Sequence, residues 1–237
     1  MIPWTLLATA SIPGSAGELR LKRRGAEFSI MLGTIELMNS RLSGSEAALA
    51  TLSCERIQAR PRPRVLIGGL GMGFTLRAAR TVLGPNARIV VAELIPAVVA
   101  WARGPMADLF GASLTDPHVS IEECDVGHLI RSGGAAYDAI LLDVDNGPEG
   151  LTREANDGLY NSEGLRAARA ALRRDGVLAV WSSGPDRHFT SRLRQAGFHV
   201  DEVKVRANGR GGGARHVIWI ATCLDSTARV QRDANRD

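Results

Sequence analysis

The stretch VLIGGLGMGF, residues 65–74, decides the fold. An apolar run ends in glycines, and the pattern G-x-G-x-G, made by Gly69, Gly71 and Gly73, stands between a predicted strand and a predicted helix. Glycines in such a turn let the backbone approach a ligand closely at the carboxyl edge of a sheet. Tight turns also use glycine, so the motif alone leaves a purely structural interpretation open.

After this motif, strand patterns alternate with helix patterns. Strands are predicted in VLIGG, ARIVVAEL, HVSIEECD, AYDAILLDVD and GVLAVWSS, and the helix SEGLRAARAALRRDG is predicted to end at Gly176. The last two strands, FHVDEVKVRA and ARHVIWIATC, follow one another across a glycine-rich turn and can pair antiparallel. This alternation predicts an α/β class: a doubly wound, Rossmann-like domain with a mostly parallel seven-stranded sheet and an antiparallel last strand.

The residues before the motif have a different pattern. Loose alternation over 18–39 predicts an antiparallel hairpin or short meander, and apolar residues at helical spacing predict a helix over 44–58. Ser43 or Ser45 could cap that helix. The chain therefore begins with a small N-terminal β-hairpin unit.

We divide the chain into three parts. Residues 1–60 form the N-terminal unit and its helix, and the Pro-punctuated segment ARPRPR, 59–64, joins it to the main domain. The catalytic domain spans 61–223, and the polar residues 224–237 are predicted to be a disordered tail.

Composition excludes several classes of protein. There is no uncharged run of 18 residues, so no membrane span is expected, and MIPWTLLATAS lacks the basic residues of a signal peptide. Three cysteines far apart in sequence indicate reduced thiols in a cytoplasmic protein, and no cysteine or histidine spacing predicts a metal site. The net charge is +4, but the short basic runs at 20–24 and 206–215 lack interleaved aromatic residues, which disfavours nucleic acid as a partner.

Acidic residues follow two further strands of the predicted sheet. Glu93 ends the strand after Gly73, where an acid can bind both ribose hydroxyls of a nucleoside. Asp125, with Val126 beside it, ends the third strand, where a carboxylate could accept a hydrogen bond from an adenine amine. A dinucleotide would favour G-x-G-x-x-G, so the pattern favours a nucleoside of the S-adenosylmethionine type.

The stretch AILLDVDNGPEG, residues 139–150, brings a buried strand directly into two acids, Asp143 and Asp145. A carboxylate at this strand end can hold an ammonium group and assist its loss of a proton, so we assign both acids to catalysis and Asn146 to substrate binding. The alternative for Asp145 is an Asx-type turn with the residues after it. Tyr160 could close over the acceptor or simply pack at a helix start, and Trp181 could line the pocket or belong to the core.

These motifs together resemble the spermidine synthase family of polyamine aminopropyltransferases, which has the class I S-adenosylmethionine-dependent methyltransferase fold. GGLGMGFTLR is similar to the family's G-G-G-D-G-G-T-L-R, VAELIPAVV to V-E-I-D-x-x-V, DVGHLI to D-A-x-x-F-L, and YDAILLDVDNGP to Y-D-x-I-x-x-D with an acidic Gly-Pro loop. The resemblance implies a donor bound by Glu93 and Asp125, Asp143 at the catalytic position, and a homodimer that associates through the N-terminal unit.

The chain departs from the family at the substrate positions. Met72 stands where the family has an acid that resembles a clamp for the donor's aminopropyl ammonium. The segment SEAALAT retains an acid at Glu46, a predicted substrate-binding residue, but has Leu49 and Ala50 in place of the Tyr and His of the family. The sequence therefore favours S-adenosylmethionine over its decarboxylated form, and methyl transfer to a small-molecule acceptor such as an amine.

Three alternatives remain open at this point. The first is true aminopropyl transfer that makes a polyamine. The second is a non-catalytic relative that only binds a nucleoside, and the third is an RNA methyltransferase whose arginine-rich loops bind the substrate.

Overall fold

The computed structural model describes residues 2–12, 17–144, 157–208 and 212–223. The predicted site residues Asp145 and Asn146 and the predicted tail 224–237 lie outside these ranges. None of the helices within these ranges combines the length and the apolar character that a bilayer crossing requires.

The described chain forms two sheets and the helices that cover them. The strands are β1 (Thr5–Ser11), β2 (Glu18–Arg24), β3 (Glu27–Leu32), β4 (Ile35–Asn39), β5 (Arg64–Gly68), β6 (Arg88–Ala92), β7 (Val119–Glu122), β8 (Tyr137–Leu142), β9 (Leu172–Ser182), β10 (His199–Arg206) and β11 (Arg215–Thr222). The helices are α1 (Gly44–Cys54), α2 (Phe74–Leu83), α3 (Pro96–Arg103), α4 (Ala107–Phe110), α5 (Val126–Ser132), α6 (Asp157–Tyr160), α7 (Ser162–Ala171) and α8 (Arg187–Gln195), with a 3₁₀ turn at Gly111–Leu114.

The large sheet confirms the predicted α/β class. Its seven strands follow the order β10-β11-β9-β8-β5-β6-β7; neighbours from β9 to β7 pair parallel, and β11 is antiparallel to both β9 and β10. Every residue of β8 is buried, because helices cover both faces of the sheet. A parallel strand in that position is expected to be a continuous apolar run, as it is in the sequence.

The N-terminal unit is a four-stranded antiparallel sheet in the order β1-β2-β3-β4. The predicted meander over 18–39 is confirmed as β2, β3 and β4, and β1 is an additional strand that the sequence pattern did not predict. Leu19, Leu21 and Ile30 of this sheet are fully buried in the same hydrophobic cluster as Ile67 and Val98 of the large domain. The two sheets therefore share one core.

The boundary between α7 and β9 was predicted wrongly. The helix ends at Ala171, not at Gly176, because Leu172 is already extended, with φ −82° and ψ 142°, and pairs with Tyr137. Gly176 lies within β9, where a Cβ atom would come 2.7 Å from the carbonyl oxygen of Arg173. Strand pairing and the burial of Leu172 thus override the helical pattern of the sequence.

Two smaller predictions about α1 also need correction: its end was wrong, and Ser43 is at the predicted N-cap position without the capping bond. The helix ends at Cys54 rather than at residue 58, and the residues after it form turns. Ser43 occupies the N-cap position without a capping hydrogen bond from its side chain, and the hydroxyl of Ser45 instead donates to Glu46 at 2.7 Å.

The linker at 59–64 is fixed to the amino end of the large sheet by a buried acid. Asp138 in β8 is 1% exposed and forms ion pairs with Arg60 and Arg173, and it also accepts a 2.7 Å hydrogen bond from the backbone N–H of Arg64. A buried carboxylate needs such partners. The linker is therefore fixed to the large sheet at the end opposite the predicted site.

Candidate functional site

The candidate site lies at the carboxyl ends of β5, β6 and β8, where the N-terminal sheet faces the large sheet. Two adjoining cavities meet there, and both are lined by Leu37, Met38, Gly71 and Asp143. The first cavity is otherwise lined mainly by apolar residues of both sheets together with Gly69, Glu93, Asp125 and Val126. The second cavity is lined by further residues that include Asn39, Glu46, Met72, Gly73 and Trp181.

Two of the three motif glycines are required by packing within the chain. All three have positive φ, which favours glycine. A Cβ atom on Gly69 would overlap the carbonyl oxygen of Asp143, and one on Gly73 would overlap the ring of Phe110. The structural interpretation therefore accounts for Gly69 and Gly73, although both also line a cavity.

Gly71 differs from the other two because it lies at the junction of the cavities. A Cβ atom there would be 3.4 Å from Sδ of Met38, an ordinary contact with a flexible side chain. Met38 belongs to β4, so the tip of the glycine loop faces the N-terminal sheet. Gly71 and Met38 therefore meet where the two cavities adjoin.

Glu93 connects the glycine loop to the start of α3. One carboxylate oxygen accepts a 2.9 Å hydrogen bond from the N–H of Leu70, and the other accepts one of 2.9 Å from the N–H of Ile95. Burial raises the pKa of Glu93, and the backbone hydrogen bonds oppose that shift. The side chain is therefore held in one orientation in the wall of the first cavity, where its remaining lone pairs can accept from a ligand.

Asp125 is the N-cap of α5, with Oδ1 accepting a 2.6 Å hydrogen bond from the N–H of Gly127. Asp125 is therefore a helix cap, and the same side chain also lines the first cavity. Val126 is 6% exposed and lines that cavity next to it. The structure thus brings Glu93, Asp125 and Val126 together around one apolar space.

Asp143 lies immediately beyond β8, between the two cavities. The hydroxyl of Thr75 donates a 2.6 Å hydrogen bond to its Oδ2. Burial and the charge of Glu46 raise the pKa of Asp143 to about 7, and the hydrogen bond from Thr75 opposes this shift. A carboxyl group with this pKa can both hold and release a proton near neutral pH.

Glu46 brings a second acid to the second cavity from the first turn of α1. Its charge contributes to the raised pKa of Asp143. Two acids that interact in one partly enclosed space favour a cationic guest. Trp181, for which core packing was the alternative, lines the same cavity.

Tyr160 lies elsewhere in the described structure. It is 2% exposed and packs edge-to-face on Phe189, with ring centroids 5.6 Å apart, in the hydrophobic cluster beneath α7 and α8. It is not among the residues that line either cavity within the described ranges. Its predicted catalytic role stays a prediction.

Sequence reasoning missed several residues of the site. Thr75 belongs to the TLR segment that carries the family resemblance, yet its contact with Asp143 has no signal in the local pattern. Leu37 and Met38 looked like ordinary strand residues, and only the packing of the two sheets makes them part of both cavities. Among the described residues, no group of three or more His, Cys, Asp and Glu side chains could hold a metal ion.

Sequence relatives of the chain are polyamine aminopropyltransferases. No protein-family model matches the chain. The chain is 32% identical over 126 residues to the polyamine aminopropyltransferase of Corynebacterium efficiens, a match that covers 52% of this chain and 23% of that protein. The corresponding protein of Mycobacterium tuberculosis is 30% identical over 151 residues, or 60% of this chain and 28% of that protein. The chain thus matches only about a quarter of the length of these curated relatives.

Solved structures extend the likeness to nearly the whole chain. Spermidine synthase from Thermotoga maritima has a TM-score of 0.73 at 18% identity, over 93% of this chain and 74% of that one. A spermidine synthase in complex with the transition state analogue AdoDATO has a TM-score of 0.71 at 18% identity, over 93% and 73% of the two chains. The fold is therefore the Rossmann-like methyltransferase fold with an added N-terminal sheet. Together with the sequence matches, this confirms the predicted resemblance: the chain is similar in sequence to polyamine aminopropyltransferases and in fold to spermidine synthases.

Proposed function

We propose that the protein is an aminopropyltransferase, which moves the aminopropyl group of decarboxylated S-adenosylmethionine to a small amine. The observation that carries this proposal is the junction of two cavities at Asp143. The apolar first cavity, with Glu93 in its wall, suits a nucleoside, and the second cavity, with Glu46 and Asp143, suits a protonated amine. Aminopropyl transfer was the alternative hypothesis from the sequence. The names of the sequence relatives support it over methyl transfer.

The residues of the site suit a displacement reaction. The amine nitrogen attacks the carbon next to the sulfonium, the carbon–sulfur bond breaks, and its electron pair stays on sulfur. Such a reaction depends mainly on holding both partners in line. Asp143 would hold the incoming ammonium and accept the proton that must leave before attack, for which a pKa near 7 is suitable.

Glu93 and Asp125 would hold the nucleoside part of the donor. The carboxylate of Glu93 would accept hydrogen bonds from the two ribose hydroxyls, since backbone donors already fix its orientation. Asp125 would accept from the adenine amine, with Val126 packing on the base. Asp145 and Asn146 remain proposed members of the acceptor site, whereas Tyr160 packs on Phe189 and is not among the described residues that line either cavity.

Methyl transfer is a second candidate because of one observation. Met72 is 3% exposed, lines the second cavity and stands where the resemblance predicts an acid for the donor's ammonium. An apolar residue there gives no charge to that group. The same cavity nevertheless holds Glu46 and Asp143, either of which could take over that role.

The nucleoside product separates these candidates. The purified protein is incubated with S-adenosylmethionine or its decarboxylated form and with a panel of small amines, and the products are identified by mass spectrometry. Methylthioadenosine from the decarboxylated donor is the expected product. S-adenosylhomocysteine would instead establish methyl transfer.

Two further outcomes address the remaining alternatives. If both nucleosides bind but neither is consumed, the protein is a non-catalytic binding relative. Steeply salt-dependent RNA binding would support an RNA methyltransferase. The proposed homodimer is tested separately by measuring the mass of the particle in solution.

A further inference from the structure

A chain of two hydrogen bonds leads from β11 to the second cavity. The Nδ1 atom of His216 lies 3.0 Å from Oγ of Ser45, and the Ser45 hydroxyl donates a 2.7 Å hydrogen bond to Oε2 of Glu46. A serine hydroxyl has a single hydrogen, and here it is directed to the carboxylate. With that hydrogen directed to the carboxylate, the contact with His216 is a hydrogen bond when Nδ1 carries the hydrogen and donates it to Ser45.

The surroundings of the two donors hold them in place. Ser45 is 1% exposed, and its hydroxyl has no capping role in α1 because Ser43 occupies the N-cap position. The ring of His216 contacts the ring of Trp181 at 71°, with centroids 4.7 Å apart. Burial lowers the pKa of His216 and the charge of Glu46 opposes this shift, so the neutral ring is favoured at neutral pH.

We propose that Ser45 and His216 are positioning residues, which fix the carboxylate of Glu46 in the second cavity as the anchor for a cationic group of the acceptor. This inference rests on the proposed function, because it needs an amine acceptor in that cavity. Glu46 would touch the substrate, and Ser45 and His216 would act only through Glu46.

We call the hydrogen-bonded chain His216–Ser45–Glu46 the relay. The position of Glu46 explains why its carboxylate needs such support. Glu46 is in the first turn of α1, and a long acidic side chain there has several rotamers open to it. A hydroxyl donor from the neighbouring residue selects one of them. The same device holds the other acid of the cavity, since Thr75 donates to Asp143.

Enzyme kinetics test the relay with paired variants. Ser45→Ala and His216→Leu each break one link, whereas His216→Asn keeps an N–H donor near the position of Nδ1. Ser53→Ala is the matched control, because Ser53 is a buried serine of the same helix whose hydroxyl donates to the backbone oxygen of Leu49.

We expect Ser45→Ala and His216→Leu to raise the KM for the amine about tenfold, while the KM for the donor and kcat change less than about threefold. His216→Asn should restore most of the acceptor affinity, and Ser53→Ala should leave it unchanged. An unchanged acceptor KM in both relay variants would overturn the inference. An equal rise in the KM for the donor and the KM for the amine, seen in the relay variants and in Ser53→Ala alike, would also overturn it. Such a result would indicate a general structural effect.

A spectroscopic measurement keeps the inference testable if no donor is consumed. Two-bond ¹H–¹⁵N correlation spectra report which nitrogen of His216 is protonated. We expect the Nδ1–H tautomer in the native protein and a shift toward Nε2–H in Ser45→Ala. A native Nε2–H tautomer would contradict the relay whatever the catalytic activity, whereas a confirmed relay in a protein without turnover would refute only the proposed function.

Discussion

The hydroxyl of Thr75 donates a 2.6 Å hydrogen bond to Oδ2 of Asp143 and lies 3.3 Å from the backbone oxygen of Glu46. Thr75 is 3% exposed in the first turn of α2, directly after the glycine loop. The same element that shapes the first cavity therefore also orients the acid between the two cavities. Because this hydrogen bond favours the ionised carboxylate, Thr75 counteracts the burial that raises the pKa of Asp143.

Thr75→Val should move the pH dependence of activity upward. The variant keeps the side-chain volume but loses the donor, so the pKa of Asp143 rises above about 7 and the ionised form needs a higher pH. We expect the acidic limb of kcat/KM to shift by about one pH unit, with less activity at pH 7. Thr75→Ser retains the hydroxyl and should keep the native profile. Equal profiles for the valine variant and the native protein would rule out this role.

Asp143→Asn should stabilise the protein above neutral pH. The folded pKa of about 7 lies above the ordinary value of 3.8, so between these values the folded state retains a proton that the unfolded state has lost. The free energy of unfolding of the native protein therefore falls as the pH rises through this window and levels off above it. Asparagine has no such loss.

The stabilisation of Asp143→Asn should thus grow from pH 4 to pH 7, reaching on the order of 2–4 kcal/mol, and then stay constant. Urea unfolding at a series of pH values measures it. A stability difference that does not depend on pH would show that Asp143 is not buried as described. In the transferase assay, the kcat of the same variant should fall about 100-fold or more, whereas its affinity for the donor should stay the same.

Glu93→Gln should weaken binding of the nucleoside. An amide has only one acceptor oxygen, so it cannot accept from both Leu70 and Ile95 and still serve two ribose hydroxyls. We expect the dissociation constant for the donor, measured by calorimetry, to rise about 10- to 100-fold. The exposed Glu123→Gln is the control at the carboxyl end of the neighbouring strand. Unaltered affinity in Glu93→Gln would place the ribose elsewhere.

Gly69→Ala should damage both stability and activity, because the added Cβ overlaps the backbone of Asp143 and must displace it. Gly84→Ala is a matched control: Gly84 also has a positive φ, but its Cβ would meet open space. We expect the control to lose about 1 kcal/mol of stability with native kcat. Gly69→Ala should lose more stability and at least tenfold in kcat. Thermal melts and kinetics on the two variants measure this difference, and equal effects would contradict the proposed contact.

The fold was predictable where local patterns and topology agree. The apolar runs of β5, β6 and β8 and the helices between them predict a parallel sheet, and the order of such a sheet places the residues after the strands at one edge. This is why Glu93, Asp125 and Asp143 were found. The strand β1 was missed because none of its residues is fully buried, and the two that pack against the core, Ala8 and Ala10, are small. The end of α7 was missed because Leu172 leaves the helix to pair with Tyr137 of β8. Such long-range pairing has no local pattern in the sequence.

The rest of the site could not be found from the sequence. Ser45 and His216 are 171 positions apart, and only the packing of α1 against the large sheet brings them together. The sequence also suggested Ser45 as a helix cap, which is a different role from contact with His216. The contact of Met38 with the glycine loop likewise depends on how the N-terminal sheet is placed. Spatial neighbours of this kind leave no periodic signal along the chain.

The first cavity has one further consequence for the behaviour of the molecule. Part of its wall comes from the N-terminal sheet, including Leu19, Ile30 and Met38, and the rest from the large sheet. A nucleoside bound there bridges two separately hydrogen-bonded layers, and its binding free energy resists their separation. By mass action, a ligand at 100 times its dissociation constant adds about 2.7 kcal/mol to that resistance. A bound substrate would thus stabilise the interface between the two sheets, and release of the product would remove that stabilisation.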